Sequence, residues 1–145
     1  MTAPTFVDTN VLVYARDSGL PEKQRQASEW LQVLWQQRRG RLSTQVLNEY
    51  YVTVTQKLTP GLSRASARQD VRNLLAWDPV ALDAGMIEAA YAVQDRFGFS
   101  WWDCLIVSAA RAAGCEILLT EDLQDGQDLD GIVVVNPFTT LPVDG

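Results

Sequence analysis

With 145 residues, 47% hydrophobic and 21% charged, the chain has the composition of one ordinary globular domain and not that of a disordered segment. No apolar run approaches the ~20 residues of a membrane span. Met1-Thr2-Ala3-Pro4 shows neither a basic region nor a long apolar stretch, so a soluble cytoplasmic protein is expected. A net charge of −6 argues against broad electrostatic binding of long polyanions and weakens, without eliminating, a nucleic-acid partner.

Thr5–Val7 is a β-prone run ending at Asp8, and Val11–Tyr14 begins a helix-like turn. From Pro21 the apolar residues Ala27, Trp30, Leu31 and Leu34 recur at helical spacing, and this helix is expected to end near Gly40. Leu42-Ser43 reads as a short strand. A helix follows with Leu47, Tyr50, Tyr51, Val54 and Leu58 on one stripe, stopped by Pro60-Gly61. Ser63 caps a helix running through Val71, Leu74 and Leu75 to the break at Asp78-Pro79, and Pro79–Leu82 reads as another short strand. Asp83 to Phe97 is helical and closes at Gly98; Ser100 opens a helix of small and apolar residues terminated by Gly114. Glu116–Leu119 is a strand, Asp122–Asp130 an acidic turn-rich loop, and Ile132–Val135 a final apolar strand. Apolar strands alternating with helices predict an α/β fold, a three-layer α/β/α sandwich around a mainly parallel sheet, in one domain spanning 1–145. Cys104 and Cys115, placed three turns apart on one helix, are too distant to bridge and read as small core residues.

Four acids stand out because each adjoins apolar sequence, where an unpaired charge is costly. They are Asp8 in Phe6-Val7-Asp8-Thr9-Asn10, Glu49 in Leu47-Asn48-Glu49-Tyr50, Asp103 in Trp101-Trp102-Asp103-Cys104 and Asp122 in Thr120-Glu121-Asp122-Leu123. There is no histidine, and the lysines are Lys23 and Lys57 alone. If the carboxylates converge, the natural counter-charge is a hard cation such as Mg²⁺ or Mn²⁺. Setting these four aside leaves 14 acids against 12 bases, and two bound divalent ions would offset the four negative charges of the site. In a parallel sheet, ligands bind beyond the carboxyl ends of the strands. Asp8 and Asp122 fall at such ends, Asp103 at the start of a helix and Glu49 early in another, so all four have a route to one rim. Each also has an ordinary alternative: Asp8 as a helix cap, Asp103 as the acid of a Ser100 capping box, Glu49 as a solvent-facing helix residue, and Asp122 as a turn former.

The segments Phe6-Val7-Asp8-Thr9-Asn10-Val11-Leu12, Leu47-Asn48-Glu49, Trp102-Asp103-Cys104-Leu105-Ile106-Val107-Ser108-Ala109-Ala110 and Ile117-Leu118-Leu119-Thr120-Glu121-Asp122-Leu123 resemble the four acidic motifs of PIN-domain nucleases. Within that family the chain is most similar to VapC-type toxins of bacterial toxin–antitoxin pairs, over Phe6 to about Pro137. The resemblance implies a metal-dependent endoribonuclease with Asp8, Glu49, Asp103 and Asp122 as metal-coordinating catalytic acids. Thr9 and Asn10 would orient Asp8 or a water, and Thr120 matches a small-hydroxyl position of the fourth motif; turn and cap hydrogen bonds are the alternative use of all three. A cognate antitoxin covering the acidic pocket and a homodimer are implied as well. Five tryptophans and Tyr50-Tyr51 supply apolar surface for a dimer, unless they are internal.

Phosphodiester hydrolysis needs a nucleophile near neutral pH and charge stabilisation on the phosphoryl oxygens. Carboxylates holding one or two Mg²⁺ or Mn²⁺ ions, about 3.5–4 Å apart in the two-ion case, supply both. Without histidine, a metal-independent histidine-pair route is closed. Water attack would leave a 5′-phosphate and a 3′-hydroxyl. A phosphatase of the haloacid dehalogenase type needs a second Asp where Asn10 stands and a later lysine, and none follows Lys57; response-regulator receivers fail on the same lysine. Another PIN-superfamily nuclease, or a catalytically silent RNA- or protein-binding module of that fold, are the remaining alternatives. Arg16, the run Arg38, Arg39 and Arg41, and the pair Trp101-Trp102 are candidate RNA contacts, against a solvated face or core packing.

Overall fold

A computed structural model describes residues 3–142. The elements run β1 (Thr5–Val7), α1 (Thr9–Tyr14), α2 (Pro21–Gln36), β2 (Gly40–Arg41), α3 (Thr44–Val52), a π turn (Thr53–Lys57), α4 (Arg64–Leu74), a 3₁₀ turn (Leu75–Trp77), α5 (Ala84–Phe97), α6 (Trp101–Ala112), β3 (Ile117–Leu119) and β4 (Val133–Val135). The sheet order is β2-β1-β3-β4 with every pair parallel. From β1 the chain crosses outward to β2, then returns past β1 to β3 and on to β4. Right-handed crossovers in opposite directions put the connecting helices on opposite faces, which yields the expected α/β/α layering. The reversal falls between β1 and β3, and a crevice opens beyond the carboxyl ends of strands at such a point.

Burial follows from sequence. Thr5, Phe6 and Val7 are all buried, as a short central strand covered on both faces requires. Around them Val11, Leu34, Leu42, Val46, Leu105, Leu118 and Leu119 close one continuous apolar core. Helix starts obey the capping rule: Ser43, Ser63, Asp83 and Ser100 each accept a hydrogen bond from the backbone three residues on. No described helix is long and apolar enough to cross a membrane.

Several expected boundaries move. Helix α2 stops at Gln36 and not at Gly40; Arg38 makes the turn with φ of 56°, and Gly40 begins β2. The glycine serves a close approach instead: a Cβ there would sit 2.5 Å from the Trp77 indole. Gly40→Ala is therefore expected to cost about 1–3 kcal/mol through overpacking, read as a lowered thermal midpoint and altered tryptophan fluorescence. The second strand is Gly40–Arg41 and not Leu42-Ser43: pairing with β1 ends at Arg41, and Ser43 caps α3. Pro79–Leu82 shrinks to a single parallel bridge between Val80 and Ser43, since Asp78 is left-handed and Pro79 has no N–H. Cys115 lies past the end of α6, so the two cysteines do not share a helix; both are buried and free.

Candidate active site

The sheet ladder continues one step past β1 and β3. Asp8 N–H donates to Leu119 O at 3.1 Å, and Thr120 N–H donates to Val135 O at 3.1 Å. Asp8 and Thr120 are thereby fixed side by side at the crevice. Asp8, extended at φ −74° and ψ 159°, also caps α1 by accepting from Thr9 N–H at 2.7 Å. Its other oxygen accepts from the Thr120 hydroxyl at 2.9 Å. One carboxylate thus caps α1 and bonds across the crevice to Thr120 at the same time.

Asn10, in the first turn of α1, joins the first and fourth segments. Its amide nitrogen donates at 3.0 Å to both Thr120 Oγ1 and Asp122 Oδ2, and lies 3.4 Å from Asp8 Oδ2. Asp122 N–H in turn donates to Thr120 Oγ1 at 3.1 Å. The Thr120 hydroxyl thus uses its one hydrogen and both lone pairs, wholly buried. Glu49 enters from α3: the Thr9 hydroxyl donates to Glu49 Oε2 at 2.8 Å, and Gln45 donates to Oε1 at 2.9 Å. Asp103, in the first turn of α6, completes the rim. Ser100 Oγ accepts from Asp103 N–H at 3.3 Å, but no bond returns from the Asp103 carboxylate to the Ser100 amide, so only half of the capping box forms.

The electrostatics report the same convergence. Burial pushes the Asp8 carboxyl up to about 7, against the Thr120 hydroxyl and Thr9 amide, with the charges of Asp122 and Asp103 adding to the rise. Asp103 is raised by burial, opposed by the Ser100 hydroxyl, and raised further by Asp122 and Glu49. Among the described residues, none of the four acids forms an ion pair. Clustered carboxylates without a cationic partner, presenting oxygen donors alone, suit a hard divalent ion. No three of them close on a single point among the described residues; neutral donors hold the cluster together, with the Asn10 amide between Asp8 and Asp122.

A sequence model of the PIN domain matches residues 5–124, a span that begins with β1 and takes in all four acids. The chain belongs to the PIN-domain family. Among curated protein sequences none matches it. A solved structure, "Toxin-antitoxin complex from Klebsiella pneumoniae", is similar at 18% identity with a TM-score of 0.63, over 92% of this chain and 97% of that one. At that identity the likeness extends to the fold.

In this PIN domain the remaining sequence candidates separate. Arg16 is engaged within the protein: its Nε and Nη2 donate to Asp70 at 2.8 and 2.6 Å, and Tyr50 donates to the same carboxylate at 2.5 Å, tying α4 to α3 and to the turn after α1. The arginine run brackets the start of β2, at the amino end of the strands and so away from the carboxyl rim. Arg39 is buried and bonded to Gln37 and Ala3, and Arg41 donates to the Arg38 and Gly40 carbonyls. Trp101 packs on Tyr91 with ring centroids 5.2 Å apart, whereas Trp102 faces out at 63% exposure. Sequence reading missed Gln45, whose signal was its i,i+4 spacing to Glu49. It also missed Tyr14 and Lys23, which hold Glu121 at 2.5 and 2.8 Å and so anchor the loop carrying Asp122. No spacing rule links residues that far apart.

Proposed function

We propose that this PIN domain is a metal-dependent endoribonuclease acting as the toxin of a type II toxin–antitoxin pair. The observation that carries the reading is that Asp8, Glu49, Asp103 and Asp122 line one crevice and feel one another's charge, with none of them in an ion pair among the described residues. Asp8, Asp103, Asp122 and Glu49 would hold one or two Mg²⁺ or Mn²⁺ ions. When bound, such an ion acidifies water and neutralises charge on the phosphoryl oxygens. The chain's own contribution is positional. Thr120 and Thr9 N–H fix the two oxygens of Asp8, Thr9 and Gln45 fix those of Glu49, and Asn10 spaces Asp8 from Asp122. Hydrolysis of an RNA phosphodiester by water attack leaves a 5′-phosphate and a 3′-hydroxyl.

Family membership supports the nuclease class, and the similar fold in a toxin–antitoxin complex supports an antitoxin partner. A homodimer and a cytoplasmic setting belong to the same reading. The competing reading is a silent module that binds RNA or a partner protein without turnover.

Total cellular RNA incubated with purified protein and Mn²⁺ or Mg²⁺ separates the two. Discrete fragments bearing 5′-phosphates are expected, absent with EDTA and lost by a factor of 10² or more, about 3 kcal/mol of barrier, in Asp103→Asn. Equal cleavage by that variant would remove Asp103 from the site, and no cleavage by the wild type would favour the silent module.

A further inference from the structure

We propose that the groove beside Glu49 is a nucleotide subsite of this centre, in which Trp102 stacks on a base of single-stranded RNA and Lys57 holds an adjoining phosphate. The assignment rests on the endoribonuclease reading above. The groove has a volume of about 500 Å³, and its walls include Thr9, Asn48, Glu49, Thr53, Lys57 and Trp102. Thr9 and Glu49, bonded to each other at 2.8 Å, belong to both the acidic rim and the groove, so a strand lying in it reaches the acids without a break.

Trp102 is 63% exposed, against 47% for Trp35 and 49% for Tyr91, and it immediately precedes Asp103. An indole left so open gains by stacking on a base, an interaction indifferent to base identity. Its neighbour Trp101 is occupied with Tyr91, which leaves Trp102 to line the groove.

The charge is complementary. Of the two lysines, Lys23 is held by Glu121 at 2.8 Å. Lys57 is exposed and makes no ion pair among the described residues. It closes the π turn Thr53–Lys57, a rare widened helical turn of a kind found often at functional sites. An acidic rim repels a polyanion, and a free ammonium on the adjoining wall gives one phosphate a favourable seat.

The test is fluorescence anisotropy of a labelled short single-stranded RNA with Ca²⁺, which binds oxygen ligands but acidifies water less than Mg²⁺. Trp102→Ala and Lys57→Gln are each expected to weaken binding about tenfold, and Trp102→Phe to restore most of the loss. Lys57→Gln alone should also flatten the salt dependence. Arg38→Gln, which removes the same charge at the amino end of the strands, should bind as wild type does. If wild type binds and both groove variants match it, the subsite is overturned and the nuclease reading stands. If wild type binds no RNA, both fall. If Trp102→Ala separates a dimer on size exclusion while RNA binding is unchanged, the groove belongs to a second copy and the proposal fails.

Discussion

Asp8→Asn is expected to abolish cleavage and, in the same protein, to raise the thermal midpoint measured without metal near pH 7.5. The two effects share a cause. Asp8 is 6% exposed, and its carboxyl is pushed up to about 7 from an unperturbed 3.8, chiefly by burial. The folded state therefore holds the proton more tightly than the unfolded state. The resulting stability is fully present below the unfolded value of 3.8 and is lost as pH rises through about 7. A shift of that size corresponds to roughly 4 kcal/mol. Asparagine escapes this cost but keeps a single acceptor oxygen for the Thr9 and Thr120 donors, so a net gain of about 1–3 kcal/mol, or roughly 3–9 °C, is the expected share. Melting curves of both proteins in EDTA from pH 5 to 8 check it. The wild type should weaken as pH rises and the variant should stay flatter, whereas parallel curves would mean that Asp8 carries no strained charge.

Thr120→Val should lower Mn²⁺ affinity and cleavage together by about 10–100-fold while preserving shape. The hydroxyl donates to Asp8 and accepts from Asn10 and the Asp122 amide. Valine fills the same volume and makes none of these bonds, leaving buried groups unsatisfied at about 1–3 kcal/mol. Thr120→Ser, which retains the hydroxyl, should recover most of the affinity. Calorimetric titration of Mn²⁺ into the three proteins distinguishes positioning from mere packing. Wild-type affinity in the valine variant would show that Asp8 and Asp122 hold their places without it.

Much of the placement of the candidate site was legible in the sequence. An acid after an apolar strand, in a chain that alternates strands and helices, has few places to go other than the carboxyl rim of a parallel sheet, and Asp8 and Asp122 are there. The caps Ser63 and Ser100 were legible because capping is local. What failed was governed by distant partners. Gly40 resembles a helix terminator until Trp77, far along the chain, is seen to lie against it. Arg16 and Arg39 look free in sequence, yet Asp70 and the Ala3 carbonyl claim them. The hydrogen bonds around Asn10 span more than a hundred residues, and no pattern in the primary structure announces them.

The strand order has a consequence for synthesis. β3 inserts between β1 and β4, and it is made only after the long excursion from Thr44 to Ala112. A ribosome that has released Asp8, Glu49 and Asp103 has still not released the strand that seats Asp8 or the loop that brings Asp122. Nascent chains therefore cannot bring the four acids together until β3 and the loop carrying Asp122 have emerged. For the proposed nuclease, the acidic rim is thus among the last parts of the described fold to be completed.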